Sequence, residues 1–382
     1  MEIDIGRLTR QEQVVDKMMK VDGGTLEAAT GFGKSYTGIL LIQRMMCEGF
    51  TALVVVPTRP LKKQWKELLK SFKLDVEVEV INTAYKNKYD VDLVIFDEAH
   101  RIPAPEFSKV FDTVKYKKVF GLTATVIRSD GEEWKLLEVA PIIDTISVRE
   151  CVKNGWISEF TIYNLAVPFT SLELKAYKKV NSSFKFASLK CGYGGAAFSN
   201  AMSWLKSGSR EQKKWAGIYM GSVSKRKKLL QGNDNKVKYA KKIVDHLSDR
   251  KGLIFSETVE TAKDITNLIG KECATYYGQL GKKERIAVLK KLTDGRSKVR
   301  LISAVKALNE GLDVPACSLA IIVAGNSIER DQIQRMGRVL RVSDKQSIIV
   351  NLYIQGTQDE VWLRDRLSGL PCKWITKIDE IE

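Results

Sequence analysis

The stretch Ala28-Ala29-Thr30-Gly31-Phe32-Gly33-Lys34-Ser35 constrains this chain most. It sets a glycine-bearing turn between a strand-forming run, Thr25 to Ala29, and a helix-forming run that opens at Ser35. In that context the turn is suited to hold phosphate. Gly31 and Gly33 let the backbone curl until successive N–H groups face one concavity. Lys34 adds a charge for terminal phosphates, the Ser35 hydroxyl is placed to bind Mg²⁺, and the helix N-terminus contributes partial positive charge. Ala28 stands where the general pattern has glycine.

Upstream, Val14, Val15, Met18 and Met19 recur at helical spacing. Gln13 in that helix can read adenine through an amide that both donates and accepts, or it is an ordinary surface glutamine. Downstream, Thr51 to Val56 is the apolar, β-branched run of a parallel strand buried on both faces, and Pro57-Thr58-Arg59 follows it. Ligands of open α/β sheets lie beyond the carboxyl ends of strands. Thr58 and Arg59 are therefore placed to touch a substrate backbone, with Lys62 and Lys63 adding field; alternatively they cap and begin an exposed helix.

Leu93 to Phe96 leads into Asp97-Glu98-Ala99-His100. An Asp at the end of a buried strand can hold Mg²⁺ opposite Ser35, and Glu98 can orient and activate water for attack on a terminal phosphate. Two acids at a strand end can also merely cap a helix, but here strand, acids and phosphate loop occur together in the required order. The strand Lys118 to Leu122 then runs into Thr123-Ala124-Thr125, whose hydroxyls can bond the acidic pair and report nucleotide state, or form a plain turn.

The net charge of +16 over 382 residues points to an anionic partner. Its distribution says more. From Pro168 to Lys242 there are 17 Lys/Arg against only Glu173, Glu211 and Asp234, a surplus of 14. Tyr177, Phe184, Phe186, Tyr193, Phe198, Trp204, Trp215 and Tyr219 are interleaved with them. Basic groups beside flat side chains suit nucleic acid, although a lysine-rich surface over an aromatic core has the same composition. Gly192, Gly194, Gly195, Gly208, Gly221 and Gly232 break this segment into short helical pieces, read as an insertion between two domains.

From Asn235 a second alternation begins: a helix to about Leu247, strand Gly252 to Ser256, helix Thr258 to Ile269, strand Ala274 to Tyr277, helix Lys282 to Leu292 and strand Val299 to Ser303. The expected organisation is an α/β domain over 1–150, the basic aromatic-rich insertion over 151–234, and a second α/β domain over 235–382. Beyond these elements, Gln334, Arg338 and Arg341 fall at i, i+4 and i+7 of a helix, where two guanidiniums can complete a phosphate site or simply face solvent. No apolar run is long enough to span a bilayer, the first residues carry Glu2, Asp4 and Arg7 rather than a signal-peptide core, and the six scattered cysteines lack a Cys-x-x-Cys pair. A cytoplasmic location, without membrane association, is the expectation.

Together these segments resemble superfamily 2 helicases and translocases, from about Thr9 to about Leu367. Ala-Thr-Gly-Phe-Gly-Lys-Ser is similar to motif I, Val56-Pro-Thr-Arg59 to motif Ia, Asp-Glu-Ala-His to motif II and Thr-Ala-Thr to motif III. Gly252 to Ser256 resembles motif IV, Glu310-Gly-Leu-Asp-Val-Pro315 motif V, and Gln334-Arg-Met-Gly-Arg-Val-Leu-Arg341 motif VI. Leu122 to Gly131 and the motif VI ending look most like the group of XPB and the phage branch-migration helicase UvsW. Val126 stands where that group more often has Pro, and Glu12 where an aromatic usually precedes the Q-motif glutamine.

The resemblance implies two RecA-like domains with parallel sheets, ATP between them and nucleic acid across their tops. It implies nucleotide binding by Gln13, Thr30, Gly31, Phe32, Gly33, Lys34, Ser35, Gly311 and Asp313, with Mg²⁺ on Ser35 and Asp97. Glu98 would activate water, and Gln334, Arg338 and Arg341 would act on the phosphates, the two arginines as fingers. His100, Thr123 and Thr125 would couple hydrolysis to movement, and Thr58, Arg59 and Arg128 would touch nucleic acid. The expected activity is that of a monomeric ATP-dependent DNA helicase or translocase on single-stranded, forked or branched DNA. An RNA helicase and a nucleic-acid-binding scaffold with weak ATPase activity are the alternatives. With the Q-like segment so near Met1, substrate preference is expected to come largely from the basic insertion.

Overall fold

The computed structural model describes residues 4–128, 130–305, 317–325, 346–367 and 370–382. The chain forms two compact units, the first built mainly on the residues up to Phe160 and the second mainly on those from Thr161.

In the first unit, α1 (Ile5–Met19) is capped by Asp4, whose carboxylate accepts from Arg7 N at 2.9 Å. There follow β1 (Gly23–Ala28), α2 (Lys34–Cys47), β2 (Ala52–Val56), α3 (Arg59–Ser71), β3 (Glu77–Val80), α4 (Ile81–Ala84) and the short β4 (Tyr89–Asp90). Then come β5 (Leu93–Asp97), α5 (Val110–Thr113), β6 (Val114–Lys115), β7 (Lys118–Thr123), α6 (Trp134–Val139), β8 (Ile142–Ile146) and α7 (Val148–Lys153). The main sheet has six strands, ordered β3-β2-β5-β7-β1-β8, every pairing parallel.

Period-two alternation explains the apolar runs. Val54 and Val56 enter one core with Leu26, Ile95 and Leu122, while Leu53 and Val55 enter the other with Val94 and Phe96. Register brings the functional ends level: Glu27 pairs with Thr123, and Asp97 with Leu122. The phosphate turn, the acidic pair and Thr123 thus leave the same edge of the sheet. Arg10 forks onto Asp144 of β8 at 2.8 and 2.9 Å, and Lys17 reaches it at 2.8 Å, fixing α1 over that edge strand. Burial alone would raise the Asp144 carboxyl, but these bonds outweigh it and hold it at about 2.

The second unit comprises β9 (Phe160–Ala166), α8 (Ser171–Cys191), α9 (Gly194–Ser207), α10 (Arg210–Gln231), α11 (Asp234–His246), β10 (Gly252–Ser256) and α12 (Val259–Ile269). It continues through β11 (Cys273–Tyr276), α13 (Lys282–Lys290), β12 (Leu301–Val305), β13 (Leu319–Ile322), β14 (Ser347–Tyr353), α14 (Gln358–Leu367) and β15 (Lys373–Ile375). Its seven strands are ordered β11-β12-β10-β13-β14-β9-β15. The neighbours β11, β12, β10, β13 and β14 pair in parallel, as do β9 and β15. These are the two parallel α/β sheets expected of RecA-like domains.

The basic segment departs from expectation in two ways. Residues from 151 onward do not begin the insertion: Cys151 of α7 and Trp156 complete the first core, and β9 belongs to the second sheet, so the helical part is Ser171–Gln231. Nor is it a set of short pieces. Gly192, Gly208 and Gly232 do end helices, but Gly195 lies inside α9 and Gly221 inside α10. Capping boxes at Thr170/Glu173 and Ser209/Gln212 start α8 and α10, and a core of Ala187, Cys191, Ala197, Ala201, Ala216 and Tyr219 joins the three helices. That packing outweighs the cost of about 1 kcal/mol for an interior glycine.

Candidate nucleotide site and basic groove

At the phosphate turn, Gly31 and Gly33 have φ of 97° and 98°, the left-handed region in which a side chain is strained. Space is short as well. A Cβ on Gly33 would stand 2.5 Å from Gln11 Nε2, and one on Gly31 2.5 Å from Ile157 Cγ2. Gly33 caps α2, which begins at Lys34, so the loop amides and the helix N-terminus converge there. Lys34 is buried and its Nζ donates to Ala28 O at 2.8 Å. Ser35, half-buried, sits in the first turn. Thr30 is buried, and the Phe32 ring is wholly buried against Trp156 with centroids 5.6 Å apart. Phe32 therefore anchors the loop, leaving its backbone as the part suited to a nucleotide.

The glutamine that meets this loop is Gln11. Gln13 is exposed, whereas Gln11 is 3% exposed and its Nε2 donates to Phe32 O at 2.9 Å and reaches Gly33 O at 3.5 Å. The sequence carries a signal for this, since Gln11 lies three, four and seven residues before Val14, Val15 and Met18, the buried face of α1.

Asp97 ends β5 with both carboxylate oxygens engaged: Oδ1 accepts from Glu98 N at 3.0 Å and Oδ2 from Trp65 Nε1 at 2.7 Å. Glu98 is held at φ 51°, an uncommon conformation for a residue with a side chain. His100 Nδ1 lies 3.0 Å from Thr123 Oγ1 and 3.5 Å from Glu98 Oε2. Thr123 Oγ1 also lies 2.7 Å from Thr125 O, to which it donates. Thr125 Oγ1 accepts from Ile127 N at 3.2 Å. Arg128, expected on nucleic acid, turns its guanidinium onto His100 O and onto Asp130 at 2.8 and 2.6 Å, where it braces the acidic loop. This fork holds the exposed Asp130 carboxyl at about 2.

Thr58 caps α3, accepting from Leu61 N at 3.5 Å, so the capping alternative is realised; Arg59 beside it is exposed. Both line a groove of about 1060 Å³ together with Lys62, Lys63, Lys66 and Arg101. Lys62 is paired with Glu79 at 2.7 Å. The remaining expected residues, Gly311, Asp313, Gln334, Arg338 and Arg341, lie outside the described residues.

The arrangement is suited to cradle phosphate at the loop, with the Asp97 and Glu98 carboxylates at the end of a strand of the same sheet. Residues 8–91 and 78–128 match the family described as type III restriction enzyme, res subunit, and residues 235–343 the helicase conserved C-terminal domain. Among curated relatives, the DNA 3'-5' translocase XPB2 of Sulfurisphaera tokodaii is 27% identical over 369 residues, covering 91% of this chain and 82% of the relative. The DNA 3'-5' helicase XPB of Kineococcus radiotolerans is 21% identical over 362 residues, 87% of this chain and 56% of the relative. Among solved structures, the Hef helicase domain of Pyrococcus furiosus superposes with a TM-score of 0.62 at 16% identity, covering 93% of this chain and 97% of that one. The chain is thus similar to superfamily 2 helicases and translocases in both of its units, with XPB-like proteins among its relatives.

Proposed function

We propose that this chain is an ATP-dependent DNA translocase or helicase. The observation that carries the proposal is the shared sheet edge in the first unit, where the glycine-kinked loop with Lys34 and Ser35, the Asp97-Glu98 pair and the His100–Thr123 link meet. In this reading the loop amides and Lys34 bind the phosphates, and Ser35 and Asp97 hold Mg²⁺. The donor set fits a hard cation: one hydroxyl and one carboxylate, leaving room for water and phosphate oxygens. Bound Mg²⁺ supplies neutralisation of phosphate charge. Glu98 orients water and takes its proton. His100 and Thr123 relay the state of that carboxylate to the turn at Thr125. Arg338 and Arg341 remain the proposed arginine fingers, with Gln334 beside them in sequence and Gly311 and Asp313 as nucleotide sensors.

DNA is the proposed partner, gripped along its backbone by Arg59 and the lysines of the groove. The helices α8 to α10 expose Phe186 and Phe198, and the turn between α8 and α9 exposes Tyr193, among their lysines; they are proposed to engage forks or junctions. No helix among the described residues is long and apolar enough to cross a membrane. The test is an ATPase panel over single strands, duplexes, forks, four-way junctions and matched RNA at stated salt, run with the wild type and Glu98→Gln. DNA should stimulate the wild type more than RNA does. Glu98→Gln should still bind ATP and lose about two to four orders of magnitude in turnover. Undiminished hydrolysis in that variant removes Glu98 from its role, and stimulation by RNA alone replaces DNA as the partner.

A further inference from the structure

We infer that Trp65 is a positioning residue that ties occupancy of the basic groove to the orientation of Asp97. The inference rests on the functional reading above. Trp65 lies with Leu69 on the buried side of the lysine-rich helix α3: it is 2% exposed, while Lys63, Lys66 and Lys70 around it are exposed and line the groove. Its indole N–H has a single proton to give, and it gives it to Asp97 Oδ2 at 2.7 Å within the core. Asp97, 5% exposed, also accepts from the Glu98 amide on its other oxygen, so the indole and this amide both help set the plane of the carboxylate.

The indole is also wedged between elements of the nucleotide site. A Cβ on Gly38 of α2 would lie 2.9 Å from Trp65 Cη2 and 3.1 Å from Leu122 Cδ1 of β7. Gly38 follows the phosphate loop by one helical turn, so the glycine there makes room for this ring. One helix thus carries the cap at Thr58, the cations that face a phosphate backbone and the N–H that aims the metal-binding carboxylate. An α-helix is stiff over its 13 residues. A shift of α3 on gripping a backbone therefore moves the indole, and with it Asp97.

Indole ¹⁵N–¹H spectra of the whole chain test the link, the Trp65 signal being identified by its loss in Trp65→Phe. Adding duplex DNA without nucleotide should shift that signal, and adding MgADP should shift it again. Trp65→Phe keeps a ring but loses the donor: Mg²⁺-free nucleotide binding should be retained, with about a tenfold rise in the Mg²⁺ needed for half-maximal stabilisation of the protein by ADP. DNA stimulation of its ATPase should fall. Gly38→Ala pushes the ring and alters no polar group; the indole signal it displaces identifies Trp65 independently, so the DNA and MgADP shifts can be read even if Trp65→Phe does not fold. A Trp65 signal unmoved by DNA that anisotropy shows to be bound overturns the coupling, as does an unchanged Mg²⁺ requirement in folded Trp65→Phe. Failure of the wild type to bind DNA instead overturns the functional reading, and the coupling with it.

Discussion

Replacing Gln11 by Ala tests how α1 supports the phosphate loop. The amide donates to Phe32 O at 2.9 Å and approaches Gly33 O at 3.5 Å in a place only 3% exposed, so water does not readily replace it. Losing a partner there leaves a buried carbonyl unsatisfied at a cost of about 1–3 kcal/mol. In a unit built mainly on the residues up to Phe160, each kcal/mol lowers the melting temperature by about 2–4 °C, so a fall of roughly 2–12 °C is expected. Because the freed loop must be ordered again on binding phosphate, ATP affinity should fall by up to about tenfold for each 1.4 kcal/mol. Gln13→Ala removes an exposed amide, and its effect should stay within about 0.5 kcal/mol. Calorimetry and titration with ATP and GTP measure both variants. The reasoning is refuted if Gln13→Ala is the more damaging, or if it alone changes the preference for ATP over GTP.

Gly33→Ala meets both a left-handed backbone and Gln11 Nε2 at 2.5 Å; it should cost about 1–2 kcal/mol or more and abolish measurable ATP binding, read by nucleotide titration. Lys236 is fully buried against Asp359 at 2.6 Å, so Lys236→Met strands a buried carboxylate and should destabilise the second unit by about 3–5 kcal/mol, read by denaturant melting. The Asp144 carboxyl, held at about 2 by Arg10 and Lys17 despite burial, lies below its unfolded value. Its contribution, about 1–2 kcal/mol, is complete above roughly pH 4 and is lost as pH falls toward 2. Asp144→Asn should flatten that part of the acid-unfolding curve; an unchanged acid limb refutes the role of this cluster.

Local chemistry along the chain carried far. A turn needing positive φ at Gly31 and Gly33 must be glycine, a strand buried on both faces must be apolar throughout as Ala52–Val56 and Leu93–Asp97 nearly are, and acids at a strand end have few structural reasons to be there. Those requirements act within a few residues, so loop, strands and acidic pair were legible without coordinates. Capping gave a narrower answer, since Thr58 at a helix start fits a cap and a substrate contact equally well, and the structure places it as a cap lining the groove. Glycine misled in α10, because bundle packing decides whether Gly221 ends a helix, and that packing is made by residues on two other helices.

What tertiary structure alone decided is which long-range partner each polar group takes. The choice of Gln11 over Gln13 turned on which side of α1 faces the loop; periodicity allows that face to be read, but only the fold brings Phe32 O beneath it. Arg128 could serve a phosphate or a neighbour, and the return of the chain after β7 hands it His100 O and Asp130. The indole of Trp65 required an acceptor, and the acceptor, 32 residues away in sequence, is Asp97 because parallel strand order sets β5 beside β2 and brings α3 over its end. Spacing within one element follows from backbone geometry and can be read from sequence; pairing between elements depends on how they fold together.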